Sequence, residues 1–181
     1  MAIQRKKYLL VDGYNVLRSG SRYRDITGPD YTHDAFNRAR ETLIKDVGSY
    51  ANAGYTDATI VFDGAQNEMS TGAPQRIGGV RIMFSPRGVS ADHVIEKLAY
   101  EYRERGLECI VVTSDASIQD ATFGGGIDRM SANGLSREME MHYEDAYLDE
   151  QPDTAEKNTI ESRLGADVVA KLRALRDGGS N

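Results

Sequence analysis

Four short stretches carry side chains able to hold a divalent cation against a phosphate. Asp12 and Asn15 lie in Leu10-Val11-Asp12-Gly13-Tyr14-Asn15-Val16, and Asp63 closes Val61-Phe62-Asp63. Asp92 and Glu96 lie in Ser90-Ala91-Asp92-His93-Val94-Ile95-Glu96, and Asp115 closes Val112-Thr113-Ser114-Asp115. Carboxylates brought together repel one another, and desolvation sharpens the repulsion. A cation between them relieves it. Every donor is an oxygen, which suits Mg²⁺ or Mn²⁺ better than Zn²⁺. Asp92 and Glu96 are four residues apart and share one helix face. Asn15 adds a neutral amide beside Asp12 that can orient a water or a phosphate without adding charge. Taken singly, each acid has a plainer use. Asp92 and Asp115 suit helix starts, and Asp12 and Asp63 each precede a glycine as turn residues do. The functional reading rests on their meeting at one place. His33, His93 and His142 have no metal-ligand spacing, and Cys109 sits in an apolar run as a core residue does.

Phosphoryl transfer is the chemistry such a site favours: a cation clamps the phosphodiester and arginines hold flanking phosphates. Arg18, Arg22 and Arg24 follow the first motif, and Arg76, Arg81 and Arg87 surround a later apolar run. Ser114 adds a hydroxyl beside Asp115. Tyr14, Tyr23 and Tyr31 are candidate platforms for unpaired bases, although tyrosine also fills cores. Other phosphate sites fit worse. No glycine-rich loop ends in Lys-Ser or Lys-Thr, no Gly-x-Ser-x-Gly elbow is present, and Tyr14 stands where a dehalogenase-type phosphatase needs a second aspartate.

The elements that must position these residues alternate between two periods. Tyr8 to Val11, Ala58 to Phe62, Val80 to Phe84 and Glu108 to Thr113 read as strands. A helix is expected from Thr32 to about Asn52, with Phe36, Ala39, Leu43, Val47 and Tyr50 inward. A second runs from Ser90 to about Arg105, with Val94, Leu98 and Tyr102 inward. A third starts near Asp115, and Gly124-Gly125-Gly126 breaks it. A fourth spans about Ala132 to Leu148, and a last amphipathic helix follows Pro152. Gly20 to Tyr31 and Gln66 to Gly79 read as loops. Alternating strands and helices imply an α/β fold with a mostly parallel central sheet flanked by helices. Ligands bind such sheets beyond the carboxyl ends of the strands, where these acids fall.

The chain has 181 residues and a formal net charge of −6. Seven acids against one lysine between 141 and 161 carry that whole excess, so the rest is balanced. An acidic isoelectric point therefore does not exclude a nucleic-acid partner. The single cysteine excludes an intrachain disulfide, and no apolar run approaches the length of a membrane span. The N-terminal residues do not read as a signal peptide, so a cytoplasmic protein with no membrane partner is expected.

The four motifs, in this order, resemble the YacP-like NYN family, and Phe123 to Glu140 with Met130-Ser131-Ala132 is similar too. The resemblance covers about residues 7–148. It implies a PIN-like three-layer sandwich and a metal-dependent endoribonuclease that hydrolyses single-stranded RNA, with mRNA on the ribosome as its setting. It places Asp12, Asn15, Asp92 and Asp115 at the catalytic and metal centre, with Asp63 and Glu96 as supporting acids. Arg18, Arg22, Arg87 and Ser114 are then RNA contacts. One position departs from the family pattern: Ile118 stands before Gln119 where relatives often carry an acid, which bears on a second metal. Residues 1–150 are expected as the nuclease domain and 151–181 as a helical extension. Two other readings stay open on the residues alone: a non-catalytic RNA- or ribosome-binding module, and a small-molecule phosphohydrolase.

Overall fold

A computed structural model describes residues 6–29, 32–64, 72–116, 118 and 123–150. Its elements are β1 (Lys7–Asp12), α1 (Gly13–Ser19), α2 (Ser21–Thr27), α3 (His33–Gly54), β2 (Asp57–Phe62) and β3 (Gln75–Ile77), followed by β4 (Val80–Phe84), α4 (Ala91–Glu104), β5 (Glu108–Val112), β6 (Ile127–Met130) and α5 (Ala132–Glu150). The chain divides into two compact units, residues 1–143 and 144–181, and the first carries all six strands. Among the described residues no helix is long and apolar enough to cross a membrane. The expected helix beyond Pro152 lies outside the described residues.

The sheet runs β3-β4-β2-β1-β5-β6. Every neighbouring pair is parallel except β3 with β4. β1 is central because its apolar run has two buried faces to fill. Leu9 and Val11 join one core with Leu43 and Val47 of α3 and Leu135 and Met139 of α5. Leu10 joins the other with Ile95 and Ala99 of α4 and Val111 of β5. Helices thus cover both faces in three layers.

The helices α3 and α4 begin as their sequences predict. Thr32 Oγ1 accepts the Ala35 N–H at 3.3 Å, and Ser90 Oγ accepts the His93 N–H at 3.3 Å. Ala39, Leu43 and Val47 are buried, with Phe36 and Tyr50 at the margin of the stripe. The buried face of α4 is Ala91, Ile95, Ala99 and Tyr102, while Val94 and Leu98 are only partly buried. Two alanines, with Ile95 and Tyr102, form that face in place of Val94 and Leu98.

Three other expectations need correcting. The segment after Gly20 is the helix α2, with Tyr23 and Thr27 buried. Seven residues are too few for a 3.6 period to show. Within the expected loop 66–79, Gln75 to Ile77 pair with β4 through a turn at Gly78 and Gly79, whose φ angles are 58° and 83°. A Gly-Gly pair between two extended runs is a hairpin signal. No helix starts at Asp115 among the described residues; the chain goes on to β6, where only Ile127 is buried. A four-residue strand with one buried side chain has no readable alternation.

Candidate functional site

The carboxyl ends of β1 and β5 are tied together by side chains. Asp12 caps α1, its Oδ1 accepting the Asn15 N–H at 3.1 Å. Its Oδ2 accepts the Thr113 hydroxyl at 3.4 Å. Thr113 Oγ1 also accepts the Asp115 N–H at 3.1 Å. Asn15 Oδ1 accepts the Ser114 N–H at 2.8 Å, so its remaining group for a ligand is the amide NH₂. Ser114 Oγ accepts the Ala132 N–H at 3.0 Å and caps α5. The position after Asp12 has no room for a side chain, because a Cβ on Gly13 would overlap the Phe62 ring. Gly13→Ala is therefore expected to cost about 1–3 kcal/mol in urea unfolding and to displace Asp12 and Asn15 together.

A cavity of about 620 Å³ opens over these strand ends. Asp12, Asp63, Asp92 and Asp115 line it with Asn15, Tyr14 and Arg18. Four aspartates, three from strand ends and one from the first turn of α4, therefore face one space. Asp12 is buried, and burial first, then the Asp92 and Asp115 charges, push its carboxyl up to about 6 from an ordinary 3.8. The Asn15 N–H and Thr113 hydroxyl oppose this only in part. Asp92 is raised too, by burial and then by Asp115, Glu96 and Asp63.

This donor set fits a hard divalent cation. Its acids are close enough to raise one another, and all donors are oxygens. Among the described residues no three His, Cys, Asp or Glu side chains form a closed ligand group. Mg²⁺ does not require one, since it keeps several waters and takes one or two carboxylates with substrate phosphates. Asp12, Asp92 and Asp115 are the residues that would hold it, with Asp63 at the rim.

Several expected site residues lie elsewhere. Glu96 adds to the field at Asp92 but does not line the cavity, one helical turn farther along α4. Arg22 Nε donates to Asp46 at 2.7 Å and its guanidinium lies 5.1 Å from the Tyr143 ring, so it serves the fold. Arg87, in the loop after β4, does not line the cavity. The Ser114 hydroxyl is engaged as a helix cap. Tyr23 is fully buried with its hydroxyl on Asp46, and Tyr31 lies outside the described residues. Ile118 packs in the core among Ile95, Val111 and Ile127. Ile118 does not line the acidic cavity. Burial pushes the Cys109 thiol up to about 12, as suits a core residue.

Sequence reasoning missed two residues. Thr113, which holds both Asp12 and the Asp115 backbone, is marked only by its place at a strand end. Asp46 has a clearer signal, because the period of Leu43, Val47 and Tyr50 puts an acid on the buried face of α3.

The model of the YacP-like NYN domain matches residues 9–177, past the point where the motifs stop. YacP of Bacillus subtilis (strain 168) is 30% identical over 170 residues, covering 94% of this chain and 96% of that protein. A crystal structure of a mutant form of Rae1 (YacP) from Bacillus subtilis superposes with a TM-score of 0.65 at 28% identity, covering 93% of this chain and 99% of that one. A second crystal structure of Rae1 (YacP) gives a TM-score of 0.62 at 28% identity, over 94% and 95%. With the fold, the motifs and the family match in agreement, the chain belongs to the YacP-like NYN domain family.

Proposed function

We propose that this protein is a metal-dependent endoribonuclease that hydrolyses phosphodiester bonds in single-stranded RNA. The observation that carries this reading is the set of four aspartates lining one 620 Å³ cavity at the carboxyl edge of the sheet. In the reaction, water attacks the phosphorus and the bond to the leaving sugar oxygen breaks. When bound, Mg²⁺ or Mn²⁺ supplies Lewis-acid stabilisation of the charge that builds on the phosphate. Asp12, Asp92 and Asp115 hold the cation. The Asn15 amide donates to a phosphate oxygen. Arg18 is exposed, with its guanidinium 5.8 Å from the Tyr14 ring, and it holds a flanking phosphate. The setting proposed with it is mRNA on the ribosome, in the cytoplasm.

Two experiments test this. Mn²⁺ titrated calorimetrically in the presence of RNA should bind wild type and fail to bind Asp12→Asn or Asp92→Asn. Undiminished binding by both variants contradicts the site. Arg18→Ala should weaken RNA binding across sequences and reduce the salt slope by about 1. Arg22→Ala should lower thermal stability and leave that slope unchanged.

A further inference from the structure

A second cavity, of about 630 Å³, lies at the opposite edge of the sheet. Tyr8, Asp57 and Arg81 bring the amino ends of β1, β2 and β4 to it, and the parallel sheet separates these from the acidic edge. Its charged lining is Asp57 against Arg76, Arg81 and Arg105. Arg76 Nη1 and Nη2 donate to the two Asp57 oxygens at 3.1 and 3.0 Å, and Arg81 Nη2 donates to Oδ2 at 3.1 Å. One carboxylate thus fixes two guanidinium groups and cancels one of their charges. The Arg105 side chain is exposed and has no ion pair or hydrogen bond among the described residues.

The ends of α3 and α4 reach this edge and together contribute about one negative charge, roughly half a charge from each terminus. A positive surplus remains around a concave site. The wall is stiff. A Cβ on Gly48 would lie 2.7 Å from the Gly78 carbonyl, so α3 meets the β3–β4 turn backbone to backbone. Arg76 Nη1 also donates to the Gly79 carbonyl at 2.9 Å. Tyrosines complete the lining: Tyr55 is half-buried with Lys7 Nζ 5.0 Å from its ring centre, and Tyr8 stacks on the buried Tyr102 at 4.8 Å between centroids.

Two guanidinium groups held by Asp57 and the exposed Arg105, in a space of small-ligand size, match the phosphate of a nucleotide. We infer that this cavity is a second ligand site that takes a nucleotide by its phosphate, either free or as one unit of an RNA strand. It is separate from the acidic cavity and needs no divalent cation.

Full-length protein titrated with ADP, and separately with a 5′-phosphorylated RNA trinucleotide, in EDTA at fixed low salt, tests this directly. Binding of at least one probe is expected. It should weaken about tenfold in Arg105→Ala, the loss of one charge-assisted contact. Arg76→Ala should weaken it in the same direction, and Asp92→Asn should leave it unchanged. Tighter binding of ADP identifies the free nucleotide as the ligand, and tighter binding of the trinucleotide identifies the strand. No binding of either probe overturns the inference. So does equal affinity in wild type and Arg105→Ala, or loss of binding in Asp92→Asn.

Discussion

Asp12→Asn is expected to lose the proposed RNA cleavage and to be harder to unfold. Both effects come from one property of the site. Asp12 carries a carboxyl pushed up to about 6 by burial and by its acidic neighbours, against 3.8 in the open chain. Between about pH 4 and 6 the folded protein holds a proton that the unfolded chain has released. Stability therefore falls as pH rises through that window and stays low above it. At pH 7 the ionised group costs the fold up to about 3 kcal/mol. Asparagine is nearly isosteric, still accepts the Asn15 N–H, and carries no charge. The variant should lose the slope and gain much of that stability. It should also lose cleavage by on the order of 10³-fold, because a ligand to the cation is gone. Urea unfolding at pH 5 and pH 7, with a cleavage assay alongside, reads both. A purely structural acid gives the opposite pattern: lower stability at pH 7 and unchanged activity.

Asp46→Ala is expected to cost more stability than the other substitutions considered. Asp46 is 2% exposed, yet four donor atoms converge on it. Arg22 Nε and Nη2 lie at 2.7 and 3.4 Å, and the Tyr23 and Tyr143 hydroxyls at 3.0 and 2.9 Å. The cluster joins α2, α3 and α5. Tyr23 is fully buried, and burial followed by the Asp46 charge holds its phenol protonated. Removing the acceptor leaves that hydroxyl without a partner and the guanidinium without its counter-charge. The expected cost is about 3–5 kcal/mol, a large part of a typical domain's stability. In thermal unfolding this is a fall of roughly 10 °C or more. A loss below about 1 kcal/mol contradicts the view of Asp46 as the hub of this face.

The fold was legible wherever a residue pattern is long enough to repeat. β1 reads from its unbroken apolar run, and α3 reads from a stripe of five apolar positions and a threonine cap. The candidate site was legible because parallel strands bring acids after β1, β2 and β5 to one edge whatever the details of packing. What escaped depends on tertiary contact. The helix α2 is too short to show a period, and its burial of Tyr23 is set by α3. β6 has one buried side chain and exists through pairing with β5. Arg22 and Arg18 are four residues apart and alike as letters. Only the folded chain shows one turned to Asp46 and the other lining the acidic cavity. On α4 Tyr102 is inward as its spacing suggested, but bulk at Val94 and Leu98 outweighed Ala91, Ile95 and Ala99, which form the rest of the buried face.

The most direct test is cleavage of ribosome-bound mRNA by wild type and Asp92→Asn, each with Mn²⁺ and with EDTA. Ribosomes belong in the assay, since a nuclease that needs them is silent on naked RNA. Strand scission by wild type in Mn²⁺ alone is expected, and none by Asp92→Asn in either condition. Scission by wild type undiminished in EDTA, or by Asp92→Asn at the wild-type rate, contradicts a metal-dependent site at these aspartates. Salt-sensitive binding without scission under every condition identifies a non-catalytic RNA-binding module instead.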